Sequence, residues 1–297
     1  MNTKIILMAN NKGGVGKTSS VAAIGDVLAR KMGKKVLLID ADPQGNLSRR
    51  FGYGVATSVR TTLEVFLQSE YIAKQESRSS DFSPSLFFNE AILRKPRSKT
   101  DGKYDNLHIM CSTRELQNVY KAFYMDANIA STIIRRFFFG LKKDNLFDYV
   151  VIDTSPSLSF VLGQLLIGSD YLMVPLPPSE DAMDGAEGVM NAYNRAVDEK
   201  QDYEYKKLDF LGFFFSNIAE RGIADRIYRQ NKQDYWEDEN AFFETSIPKS
   251  TSVLNAENRG APVTSVFPNS PASLCYTKLT KEIEERIKKL EEGKLYG

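Results

Sequence analysis

The sequence is poor in cysteine. Its two, Cys111 and Cys275, lie far apart and form no C-x-x-C pair. That excludes a cysteine-rich metal or iron–sulfur site within one chain and fits a reducing cytoplasm. No apolar run approaches the ~18 residues that a membrane span requires. The N-terminus has a single Lys and a short apolar run that passes directly into a glycine-rich loop, so no cleavable signal is expected. Charge of one sign is also missing: 39 basic and 38 acidic residues leave a net charge of +1. Bulk electrostatics therefore does not point to nucleic acid, and any DNA binding would rest on a local patch. The remainder is ordinary, with 42% hydrophobic and 26% charged residues over 297 positions. These are the proportions of a soluble globular chain of one large domain or two small ones.

Six apolar, β-branched runs recur along the chain: Lys4–Ala9, Lys35–Ile39, Leu107–Cys111, Asp148–Asp153, Tyr171–Leu176 and Phe210–Phe215. Short, nearly continuous runs of this kind are expected to be strands buried on both faces, as in a parallel sheet. Between the first two, Val21, Ile24, Leu28 and Met32 recur at helical spacing within Thr18–Met32, and Gly33 stops the helix. Strand, loop, helix and strand at this length make a βαβ unit. The expected fold is α/β: one domain over 1–297, with a mostly parallel twisted sheet and helices on both faces. An irregular surface excursion is expected at about 55–106, after and around a helix at Thr61–Ile72. A C-terminal helix is expected at about 277–292, with Leu279, Ile283, Ile287 and Leu290 on one stripe.

A further absence marks the site. The stretch NNKGGVGKTSS has the look of a phosphate loop, but Asn11 stands where G-x-x-x-x-G-K-[ST] places its first glycine. The context fits nonetheless, since an apolar strand precedes the loop and a helix follows it. Gly13, Gly14 and Gly16 let backbone N–H groups approach an anion, and the helix N-terminus adds partial positive charge. Val15 and Ser19 complete the cradle. Lys17 is expected against the β- and γ-phosphates of ATP, with the Thr18 hydroxyl on Mg²⁺. In DYVVIDTSPS, Asp153 ends a strand and is placed to hold Mg²⁺ through water. In KVLLIDADPQGN, Asp40 and Asp42 stand two apart at a strand end. Either Asp42 orients the attacking water while Asp40 helps hold Mg²⁺, or the Asp42-Pro43 pair starts a turn that Asp40 caps.

Taken together, KGGVGKTS, DADPQGN and VVIDTSPS resemble the ParA/Soj branch of the deviant-Walker P-loop ATPases, a superfamily that includes MinD. TSIPKSTSVLNAENRGAPV resembles the same family's Ile-Pro segment and its Gly-x-Pro-Val turn. The likeness spans most of the chain outside about 55–106. The family's own loop, K-G-G-x-G-K-[ST], is met from Lys12 to Thr18. The resemblance implies a homodimer that sandwiches two ATP molecules, with Lys12 of each subunit reaching the partner's phosphates as an arginine finger does. It implies Asn217 and Pro248 at the adenine. It also implies a weak, partner-stimulated ATPase that binds DNA non-specifically, sits on the nucleoid when ATP-bound and is otherwise cytoplasmic. A ParB-like centromere-binding protein would stimulate it. By the same resemblance the DNA contacts fall on Arg221, Arg226, Arg229 and Lys249. Arg226 and Arg229 would share one helical face, unless these side chains form only a solvated surface.

Two alternatives follow from the same superfamily: a MinD-like membrane-associated regulator of cell division, and a ParA-like positioner of a protein cargo. A membrane-binding tail needs a basic face and bulky apolar residues. Here Glu282, Glu284, Glu285, Glu291 and Glu292 dilute the lysines, so a tail packed on the domain is the expectation. Since the first strand is expected at about residue 4, no helix-turn-helix domain and no operator binding are assigned.

Overall fold

All six apolar runs form strands in the computed structural model: β1 (Lys4–Met8), β2 (Val36–Ala41), β3 (Leu107–Met110), β4 (Tyr149–Thr154), β5 (Tyr171–Leu176) and β6 (Asp209–Phe215). The structure describes residues 3–53, 63–76, 105–157, 160–177, 179, 182–202, 207–219 and 241–293. The strands join in one sheet of order β3-β2-β4-β1-β5-β6, and every pairing is parallel. Parallel strands need crossovers that return over a face, so helices cover both sides.

Alternation along each strand divides the core into two layers. From β1, Ile5 and Leu7 join one cluster while Ile6 and Met8 join the other. The second layer is covered by α1 (Lys17–Asp26), which runs on as a π-helical turn over Val27–Lys31, and by α2 (Asn46–Arg50). The first layer carries α3 (Leu63–Gln75), α4 (Leu116–Met125), α5 (Ala127–Asp144), α6 (Phe160–Gly168) and α7 (Ala182–Asp202). Most of the excursion at 55–106 lies outside the described residues. Within it, α3 runs on to Gln75, past the Ile72 end of the expected helix, whose first two residues lie outside the described residues.

After β6 come α8 (Thr251–Asn258), α9 (Val263–Val266) and α10 (Pro271–Glu291). The tail helix therefore begins at Pro271, earlier than about residue 277. Ser270 supplies the reason: its Oγ accepts from the Ser273 N–H at 3.3 Å, and Pro271 occupies the first turn. Leu279, Ile283 and Ile287 are fully buried in the second layer, with Leu290 packed against it. Arg286 joins this helix to β6: its Nη1 donates to the Leu211 carbonyl at 2.8 Å, and its guanidinium lies 4.1 Å from the Phe243 ring centre. The apolar stripe is thus used up inside the domain. Among the described residues no helix is long and apolar enough to cross a membrane.

Candidate functional site

Parallel α/β sheets present ligands at the carboxyl ends of their strands. Here the ends of β1, β2, β4 and β6 converge on a cleft of about 790 Å³. One wall is the loop Gly13–Ser19. The others come from Asp42, Gln44, Asn46 and Arg50 after β2, Thr154 and Pro156 after β4, Asn217 after β6, and α8 with the residues before it. Gly14 (φ 74°) and Gly16 (φ 84°) hold left-handed backbone angles, which a side chain would strain, and this turns the loop into the N-terminus of α1. At the first-glycine position, Asn11 needs no such angle.

The loop is clamped from outside. Asn10, buried just before it, donates from Nδ2 to the Pro175 carbonyl at 2.7 Å and accepts the Lys12 N–H at 2.8 Å. Ser216 Oγ donates to the Val15 carbonyl at 2.5 Å, and Asn217 Nδ2 to the Gly14 carbonyl at 3.0 Å. Sequence reading missed Asn10 and Ser216, whose partners lie 165 and 201 residues away. Asn217, expected at adenine, both lines the cleft and holds the loop, with φ 59°.

Lys17 is 6% exposed, and its ammonium donates to the Asn10 and Lys12 carbonyls, each at 2.9 Å. Burial lowers its pKa, while Asp153 and Asp42 pull the other way. Asp40 and Asp153 pair directly across β2 and β4, so their side chains share the face that carries α1. Both are fully buried, and burial raises both pKa values; at Asp153 the charges of Asp40 and Asp42 add to the rise, while at Asp40 the Ser48 hydrogen bonds oppose it and the charge of Asp42 adds.

The two carboxylates differ in what they bind. Asp40 Oδ2 accepts the Ser48 N–H at 2.8 Å and the Ser48 hydroxyl at 2.6 Å, and its Oδ1 accepts the Asp42 N–H at 3.3 Å. The expectation of Asp40 at the metal meets an already occupied carboxylate: it anchors α2, close to the capping alternative. Asp153 has Thr18 and Lys17 beside it: the Thr18 hydroxyl and the Lys17 charge both favour its ionised form, and among the described residues its oxygens meet no well-formed donor geometry. A buried carboxylate so thinly satisfied at a phosphate loop fits a hydrated Mg²⁺ that Thr18 and Asp153 would help to hold. Among the described residues no three His, Cys, Asp or Glu side chains cluster to hold a metal by themselves. Asp42 is 5% exposed and lines the cleft, and its Oδ1 accepts the Gln44 N–H at 2.9 Å.

Of the other expected residues, Lys249 is exposed at the start of the α8 wall and lines the cleft, whereas Pro248 is not among its lining residues. Pro248 pairs instead with Ile218 in an isolated parallel bridge. Arg221, Arg226 and Arg229 lie outside the described residues. An ion pair that sequence reading missed, Arg50 with Glu257, joins α2 to α8 across the cleft.

A family profile described as an AAA domain matches residues 3–206. The chromosome partitioning protein ParA of Caulobacter vibrioides is 26% identical over 283 residues, covering 95% of this chain and 94% of that one. The virulence plasmid ParA family protein pGP5-D of Chlamydia psittaci is 28% identical over 284 residues, covering 96% and 95%. This chain belongs to the ParA/MinD-type family of P-loop ATPases. The family's fold extends to enzymes of other chemistry. A cobyrinic acid a,c-diamide synthase from Mycobacterium smegmatis, solved with an ATP analogue and magnesium, superposes with a TM-score of 0.71 at 21% identity, covering 99% of this chain and 98% of that one.

Proposed function

We propose that this protein is a ParA-type partition ATPase. It binds MgATP in the cleft, dimerises around two nucleotides, and as a dimer binds DNA without regard to sequence. Hydrolysis, stimulated by a ParB-like partner, returns it to the monomer in the cytoplasm. The observation that carries this reading is the division between the two loop lysines. Lys17 is turned inward on two loop carbonyls, as the resident phosphate ligand of its own subunit. The Lys12 side chain is laid instead over Gly185 of α7, away from its own subunit's Lys17; in the proposed dimer it would turn to the neighbouring subunit's phosphates.

Phosphoryl transfer to water depends on positioning and charge neutralisation. Thr18 and Asp153 would hold Mg²⁺, which neutralises charge on the phosphates. Asp42 orients the attacking water from the turn that Gln44 fixes. Asp40 supports this arrangement by holding α2 through Ser48. Asn217 faces the nucleoside end with the residues around Pro248. DNA contacts are assigned to Lys249 and to Arg221, Arg226 and Arg229. The burial of the tail stripe supports partition over the MinD-like membrane alternative.

Retention of the protein on a random-sequence duplex tests the function. ATP is expected to support retention at low salt, with ADP inactive and binding falling steeply as salt rises. Equal retention with either nucleotide would contradict the reading, and ATP-dependent flotation with anionic liposomes in its place would favour the membrane alternative.

A further inference from the structure

Lys12 is held in this structure in three ways. Its N–H donates to Asn10 Oδ1 at 2.8 Å, and its carbonyl accepts the Lys17 ammonium at 2.9 Å. The third hold is steric. The side chain is laid over Gly185, in the first turn of α7. A Cβ placed on Gly185 would stand 2.7 Å from Cγ, 2.8 Å from Cδ and 3.0 Å from Cε of Lys12. Contacts of 3.0 Å or less to three successive methylenes cannot be relieved by moving the ammonium end alone, so the whole stem would have to leave. Lysine stems commonly bury their methylenes along a neighbouring surface while the charged head stays wet. Here that surface exists only because residue 185 lacks a side chain.

We propose that Gly185 is a positioning residue for Lys12: its bare Cα surface is a seat that holds the lysine stem in the monomer, and withdrawal from this seat precedes the lysine's action in the dimer. The inference rests on the reading that Lys12 serves the partner's nucleotide. It also explains how a nucleotide bound by one lysine is felt by the other. The Lys17 ammonium bonds the Lys12 carbonyl when no phosphate is present. Once it turns to phosphate, that backbone hold is lost, and the Gly185 seat is then the restraint on the Lys12 stem that a single substitution can remove. Gly185 thus contributes to the threshold for releasing Lys12, and a residue with a Cβ there lowers it.

Gly185→Ala tests this with little risk to the fold, because alanine is the better helix former. In nucleotide-free protein, acetylation of Lys12 by a small amine-reactive ester is followed by mass spectrometry, with the well-exposed Lys288 as the internal standard. Lys12 in Gly185→Ala is expected to react about five-fold faster than in wild type, toward the low end of what residues in contact couple by. The ATP concentration for half-maximal dimerisation is expected to fall by a similar factor in sedimentation. Comparing Lys12→Ala with the Gly185→Ala, Lys12→Ala double variant should show no such fall, since the seat then has nothing to hold. Unchanged Lys12 reactivity in Gly185→Ala would overturn the proposal. So would a dimerisation shift that persists without Lys12, which would place the effect in α7 itself. Were wild type to stay monomeric in ATP, the partition reading would fail on its own, and the labelling comparison would still decide whether the seat exists.

Discussion

Asp153 keeps a carboxyl group fully buried with no well-formed donor geometry beyond the nearby Thr18 hydroxyl, next to a second buried carboxyl at Asp40. Such a group is unfavourable for the empty fold and acquires its use when a cation enters. Asp153→Asn should therefore stabilise the nucleotide-free protein by about 1–3 kcal/mol while removing the dependence of nucleotide affinity on Mg²⁺. Thermal unfolding with and without MgATP checks both halves, and a lower Tm for the empty variant would contradict the assignment. The phosphate loop, Lys12, Asp42 and Asp153 are legible in the sequence because each sits in a short motif whose chemistry is local. Asn10 and Ser216 are not. Their roles depend on carbonyls brought in by the sheet from distant segments, Pro175 for one and Val15 for the other. Asp40 shows the reverse difficulty: the motif marks it, but only the Ser48 contacts reveal that its oxygens are already occupied.

Among the elements, strands were the most readable, because burial on both faces demands uninterrupted apolar runs and all six lie where those runs do. The tail helix was placed correctly along its apolar stripe but started late. The stripe begins at Leu279, whereas the helix starts at the Ser270 cap, where PASLCYT shows little periodicity. Helix α8, a wall of the cleft, was not delimited at all; its short apolar content hides it, although Ser250 caps its first turn by accepting the Ser252 N–H at 3.3 Å. The buried tail stripe carries a stability prediction. Leu279→Ala should cost about 2–5 kcal/mol in urea unfolding, as expected for a fully buried leucine. A cost well under 1 kcal/mol would mean the tail is peripheral and would reopen the membrane alternative.

For the whole molecule, the proposed function makes the assembly state follow the nucleotide. If hydrolysis ends the assembled state as proposed, Asp42→Ala should bind ATP, form the dimer and remain there. Phosphate release at the wild-type rate from that variant would remove Asp42 from its role. The most direct test of the central claim is sedimentation velocity of wild type and Lys12→Ala, each with ATP or ADP. The account predicts a dimer for wild type in ATP alone, and a monomer for Lys12→Ala in both nucleotides even though Lys17 still binds ATP. An ATP-bound Lys12→Ala dimer as stable as wild type would contradict it.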